Sequence, residues 1–243
     1  MDECFKYLGF VLKPNAYFFK DWMWLYKKIE SRIGCWTFKF LSRGGWLVLL
    51  KAALQSVPVY WATIAYIPKD ILQKIRKKFF SFLWSAKRHT EGIPLAKWKL
   101  LASPKELGGC GIKNPFLFCQ SLVAKTLWRL IKNPDSLWGK VLSSKYFPNG
   151  SIYEWIRKRE KTYKNGSIGW KSLVLAFPLV GNWVAWMVGN GRQIRVGEDP
   201  WSRAGERYKL SEGLVSKLRS LGIYNLNQAC STTLQRETLW KNS

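Results

Sequence analysis

Pro68-Lys-Asp-Ile-Leu-Gln-Lys-Ile-Arg-Lys-Lys-Phe-Phe-Ser-Phe-Leu-Trp84 sets the fold class. A proline in the first turn is already shaped for helix entry. At 100° per residue, Ile71, Leu72, Ile75, Phe79, Phe82 and Leu83 share one arc of roughly 120°. Lys69, Lys74, Arg76, Lys77 and Lys78 fall outside it. The spacing predicts an amphipathic basic helix over 68–84. Its charged side suits either an ordinary solvated face or a face that tracks a polyanion.

The flanks carry the same period. Trp22, Leu25, Tyr26, Ile29 and Ile33 recur at steps of three and four, which predicts a helix from Phe18 to Ile33. Lys27, Lys28 and Arg32 occupy its other side. Ser42 is placed to cap a helix from Gly45 to Ser56, apolar nearly all round and so buried, with Pro58 closing it. Before these, Tyr7–Leu12 reads as an extended run stopped by Pro14-Asn15. After Trp84, glycine and proline make 85–114 a loop region. Helices follow at Pro115–Ile131 and Asp135–Tyr146. Residues 149–165 read as a charged loop, and a short helix spans Trp170–Phe177. Trp183–Val188, Gly189-Asn190-Gly191 and Arg192–Val196 predict a β-hairpin. A helical tail covers Leu210–Leu221. The fold class is mainly α: a helical bundle, then a smaller helical part with one β-hairpin near 183–196. The best division falls near 148–168.

Composition narrows the partners. Forty Lys and Arg stand against 15 Asp and Glu, a net charge of +25, and 47% of residues are apolar. Such a charge repels itself unless a polyanion or counterions screen it. Fifteen Trp, 10 Tyr and 13 Phe accompany it. Cations neutralise phosphates and aromatic rings stack on bases, although large rings more often fill cores. The five cysteines are odd in number and far apart, with no Cys-x-x-Cys, against both a disulfide scaffold and a zinc site. Neither a signal-like apolar run nor a membrane span is read. The expected location is intracellular, nuclear or cytoplasmic, and not secreted.

Catalytic chemistry is sparse. Polymerase-type phosphoryl transfer needs carboxylates holding two metals about 4 Å apart. No Asp-Asp pair occurs, and Asp21, Asp70, Glu91 and Asp135 are scattered. Glu198-Asp199 lies in Gly197-Glu-Asp-Pro200, read as a turn at the end of the hairpin. His89 is the only histidine. No phosphate-binding loop of the Gly-x-x-x-x-Gly-Lys-[Ser/Thr] kind exists. No catalytic residue, metal site or cofactor is expected of this chain alone.

Several segments together resemble plant LINE-type (non-LTR) retrotransposon reverse transcriptases. They are Lys6-Tyr-Leu-Gly-Phe10, Leu41-Ser-Arg-Gly-Gly45, Leu49-Leu-Lys-Ala-Ala-Leu-Gln-Ser-Val-Pro-Val-Tyr60, Ile67-Pro-Lys69 and Phe82-Leu-Trp84. Pro104-Lys-Glu-Leu-Gly-Gly-Cys-Gly-Ile112, Leu127-Trp-Arg129, Val188-Gly-Asn-Gly191 and Asp199-Pro-Trp201 continue the series. The blocks keep the family's order over about residues 4–201. Trp46, Ser85-Ala86, Cys110 and Val196-Gly197 depart from its usual residues.

The resemblance implies a position after the Tyr-x-Asp-Asp palm and before the zinc-binding and RNase H segments. Residues 1–18 would be a remnant of the palm edge with a linker, 19–148 the helical thumb and connection, and 149–243 a second part. The parent would be an RNA-directed DNA polymerase using Mg through residues this sequence lacks. The expected partners are RNA or an RNA–DNA duplex, and the palm and RNase H regions of the parent. Expected backbone contacts are Lys74, Arg76, Lys77 and Lys78, with Lys27, Lys28 and Arg43 secondary. The competing reading is a basic amphipathic module for a membrane surface or a protein partner.

Overall fold

The computed structural model describes residues 5–7, 10–12, 17–36, 41–84, 93–148, 150–157, 166–201 and 210–231. The chain forms two compact units. The first is Met1–Thr126 with Tyr163–Leu175, the second Leu127–Thr162 with Ala176–Ser243. The protein is mainly helical.

In the first unit, strands β1 (Phe5–Tyr7) and β2 (Phe10–Leu12) pair antiparallel, with Phe5 opposite Leu12 and Tyr7 opposite Phe10. The extended run read at 7–12 therefore takes in the end of β1 and the whole of β2. Helix α1 (Phe19–Gly34) starts where the Phe18 amide donates to the Asp21 carboxylate at 2.6 Å. That bond satisfies one of the donors a helix start leaves unpaired. Helix α2 (Arg43–Leu49) is capped by Ser42, whose Oγ accepts from Gly45 N at 3.2 Å.

The helix expected over 45–56 does not stay α. Leu50–Leu54 is a π-helical turn, and Gln55 N donates to Leu50 O at 2.9 Å. Gln55 is buried, and its Nε2 donates to Lys113 O at 3.1 Å. A buried amide without a partner is costly; the wider turn sits directly before Gln55, whose side chain holds that carbonyl. Helix α3 (Val59–Ile64) follows Pro58, and α4 (Lys69–Trp84) matches the predicted amphipathic helix.

α1 packs on α4, and α4 on α2. The seam holds Trp22, Leu25 and Ile29 with Ile71, Ile75, Phe79 and Phe82, all buried. Full burial of each such side chain stabilises by roughly 1.5–3 kcal/mol. Residues 85–92 lie outside the described residues. In the rest of the loop region, α5 (Trp98–Leu101) and a 3-10 turn at Lys105–Leu107 are ordered by a tight glycine loop. Gly111 N donates to Ser103 O at 2.9 Å, and a side chain at Gly109 would collide with the Ser103 carbonyl.

Helix α6 is Pro115–Lys132 and α7 is Leu137–Tyr146, with Ser136 as its cap. α8 (Ile152–Arg157) lies where a charged loop was read. α9 is Ile168–Gly181, longer than expected, and α10 is Glu212–Ser220.

The β-hairpin expected over 183–196 is not formed. Its second arm bonds elsewhere in the second unit: Val196 N donates to Tyr224 O at 3.2 Å and Leu226 N to Ile194 O at 3.0 Å. The first arm turns away too, with Trp186 N on Pro200 O at 2.8 Å. The two halves find better partners than each other.

Ile75 has no exposed surface at the α1–α4 seam. Ile75→Ala is expected to destabilise the first unit by about 2–5 kcal/mol. Chemical denaturation followed by tryptophan fluorescence, compared with the solvent-facing Gln73→Ala, checks this.

Candidate nucleic-acid interface

Packing of α1 on α4 decides where their cations go. On α4 the buried stripe leaves Lys77 on the opposite, solvent side. Lys78 turns toward α1 and pairs with Glu30 at 3.0 Å. Lys74 is on the same flank, its Nζ 4.7 Å from the centre of the Phe19 ring. Arg76 takes the other flank, its Cζ 5.8 Å from the Phe116 ring centre. The four cations expected to act together are thus divided: two face α1, one faces α6 and one faces solvent.

On α1, Lys27 and Lys28 are exposed, and so is Lys20. Lys20 stands two turns before Lys27 on the same side, a seven-residue step that sequence reading passed over. Arg43, exposed at the start of α2, lies 5.6 Å from the Trp84 ring centre. Cations over ring faces are attracted by the ring quadrupole yet can keep their outer side open to an anion. Lys20, Lys27, Lys28 and Lys77 have no acidic partner among the described residues.

The acids at this seam are occupied. Asp21 caps α1 and Glu30 holds Lys78. Burial first, and then the neighbouring Glu30 carboxylate, push the Tyr26 hydroxyl from 10.0 up to about 12. Burial alone pushes the Cys119 thiol up to about 12, which makes it unreactive.

The second unit holds a different polar cluster. Arg157 grips Asp199 with both arms, Nε to Oδ1 and Nη2 to Oδ2, each at 2.9 Å. Its Nη2 also donates to Gln193 O at 2.8 Å, and its Cζ lies 4.6 Å from the Trp186 ring centre. Asp199 is 3% exposed and accepts a further bond from Arg195 N at 2.9 Å. The neighbouring Glu198 pairs with Arg219 and Arg195. The Glu198-Asp199 pair does lie in a turn, but Asp199 ties that turn to α8. Sequence gave no sign of this, because Arg157 is 42 positions away.

Among the described residues, no three His, Cys, Asp or Glu side chains gather where they could share an ion. Nor is any helix among them long and apolar enough to cross a membrane.

The chain is similar to two Arabidopsis thaliana proteins. It is 32% identical over 190 residues to one named "Putative ribonuclease H protein", an alignment covering 77% of this chain and 30% of that protein. It is 28% identical over 147 residues to an uncharacterized mitochondrial protein, covering 60% of this chain and 92% of that one. The chain therefore spans less than a third of the first relative's length. No family model matches, and no solved structure matches.

Arg157→Met is expected to cost about 3–5 kcal/mol, since it strands the buried Asp199 carboxylate. Arg157→Met with Asp199→Leu should recover part of that loss, measured by urea unfolding. For Tyr26, the folded-state value lies above the unfolded one, so its contribution holds below about pH 10 and is lost as pH climbs through about 12. Ultraviolet titration of tyrosinate, compared with Glu30→Gln, should show this late ionisation moving down in the variant.

Proposed function

We propose that this chain is a thumb-and-connection part of a plant LINE-type retroelement reverse transcriptase. In that reading it binds RNA or an RNA–DNA template–primer and performs no chemistry by itself. Three things support it. Ordered sequence blocks resemble that family. A relative carries a ribonuclease H name. The observation that carries the binding itself is electrostatic: Lys20, Lys27, Lys28 and Lys77 stand exposed on two packed helices without acidic partners among the described residues.

The mechanism follows from counterion release. Each lysine that meets a phosphate frees a condensed counterion, so affinity falls steeply as salt rises. Contacts of this kind position a duplex without reading its bases. Lys77, Lys27 and Lys28 are the primary contacts, with Lys74, Arg76 and Arg43 meeting phosphates from above their rings. Lys78 contributes less, because Glu30 already neutralises it. The catalytic Mg of the parent polymerase would be held by carboxylates elsewhere in that protein, and no step is routed through this chain.

Binding to an RNA–DNA hybrid of mixed sequence should be tight at low salt and tolerant of sequence. Each of Lys27→Ala, Lys28→Ala and Lys77→Ala should lower the log–log salt slope by about one unit. Lys78→Ala should change it less. Fluorescence anisotropy across a salt series reads both. Salt-independent binding would overturn the reading. So would stronger capture by phosphatidylserine vesicles than by the hybrid.

A further inference from the structure

Where α2 gives way to the π-helical turn, an open groove runs between that segment and the glycine loop. Leu47, Val48 and Ala52 line one side, with Cys110 among the groove's other lining residues; Lys51 and Lys105 both reach into it. Lys51 sits within the π turn, and π turns recur at functional sites.

Two lysine side chains from distant parts of the sequence converge here. A methyl group placed on Gly111 would lie 3.7 Å from Lys51 Nζ and 3.5 Å from Lys105 Cγ. Gly111 holds φ +62, a conformation that favours glycine. The loop is pinned in place on both sides. Ile112 N donates to Leu101 O at 3.2 Å, and Gln55 holds the Lys113 carbonyl at 3.1 Å. Neither lysine has an acidic partner among the described residues. Glu106, beside Lys105 and exposed, pairs with neither. Two lysines lining one groove without an acidic partner offer a bound anion attraction from both sides.

We infer that Lys51 and Lys105 form a subsite for one phosphodiester of a nucleic-acid backbone, with the adjoining sugar lying on Leu47, Val48 and Ala52. A backbone joins charge to a less polar sugar, and the groove lining likewise holds two lysines beside Leu47, Val48 and Ala52. The inference rests on the nucleic-acid reading above and extends it from helix faces to a built groove.

Cys110 reports on the subsite directly. In a variant with Cys4, Cys35 and Cys230 replaced by serine, the remaining thiols are Cys110 and the buried Cys119. A saturating RNA–DNA hybrid is expected to slow N-ethylmaleimide modification of Cys110 several-fold. Lys51→Gln and Lys105→Gln should each abolish that protection and lower the salt slope by about one unit. Lys51→Arg and Lys105→Arg should restore both. If the hybrid binds, by anisotropy, and Cys110 reacts at its unprotected rate, the subsite is refuted while the helix-face reading stands. Protection by phosphatidylserine vesicles but not by the hybrid refutes it in favour of a lipid surface. Absence of any hybrid binding removes both readings together.

Discussion

The apolar seam between α1 and α4 is the constraint on which the first unit depends. Trp22, Leu25 and Ile29 meet Ile71, Ile75, Phe79 and Phe82, and almost none of their surface stays exposed. A chain carrying +25 repels itself at every separation short enough to escape screening. Burial on this scale is the main term that holds two lysine-rich helices side by side. Because each helix must turn its stripe inward, its cations have only the flanks and the outer side left. The seam therefore does two jobs: it supplies cohesion and it sorts the charges.

Aromatic residues are drawn into the same work. Trp24 meets Trp61 edge-on at 4.8 Å, and Trp46 stacks on Phe82 at 5.7 Å. Rings committed to such pairs cannot stack on bases. The aromatic richness that suggested base stacking is, in this unit, largely core. Phe19, Phe116 and Trp84 take an intermediate part, each lying under a cation. In the proposed reading, binding by this unit would rest on phosphates more than bases, which leaves little means of choosing a sequence.

Sequence pattern revealed what rests on period. α1, α4, α6 and α7 were legible within a residue or two, because each has an apolar stripe and is ten residues long or more. α3 and α8 have six residues each, too few to display a period, and α3 follows a proline that reads as a stop. The π turn was hidden because Leu50–Leu54 is apolar except for Lys51, so its register shift moved no visible stripe. The hairpin failed for a different reason. Alternation and a Gly-Asn-Gly turn describe local preference, whereas the pairing was settled by Arg157 and by the 223–227 segment, both remote in sequence. Among the site residues, the identity of the cations was legible and their division among flanks was not. That Lys78 is neutralised depends on Glu30, 48 positions away.

The acids explain why so much positive charge is left over. Only 15 are present, and those with described roles serve the fold. Asp21 caps a helix, Glu30 bridges the seam, the buried Asp199 anchors the half-buried Arg157 and Glu198 holds Arg219. A buried pair such as Arg157–Asp199 is weak as a source of net stability, since desolvation opposes attraction. Its geometry is what it supplies: three acceptors fix one guanidinium, and with it the course of residues 193–199. Acids spent on geometry are not available to shield the exposed lysines. Lys20, Lys27, Lys28 and Lys77 on the helices, and Lys51 with Lys105 at the groove, are therefore the positions where an external polyanion gains most, because no internal carboxylate must first be displaced.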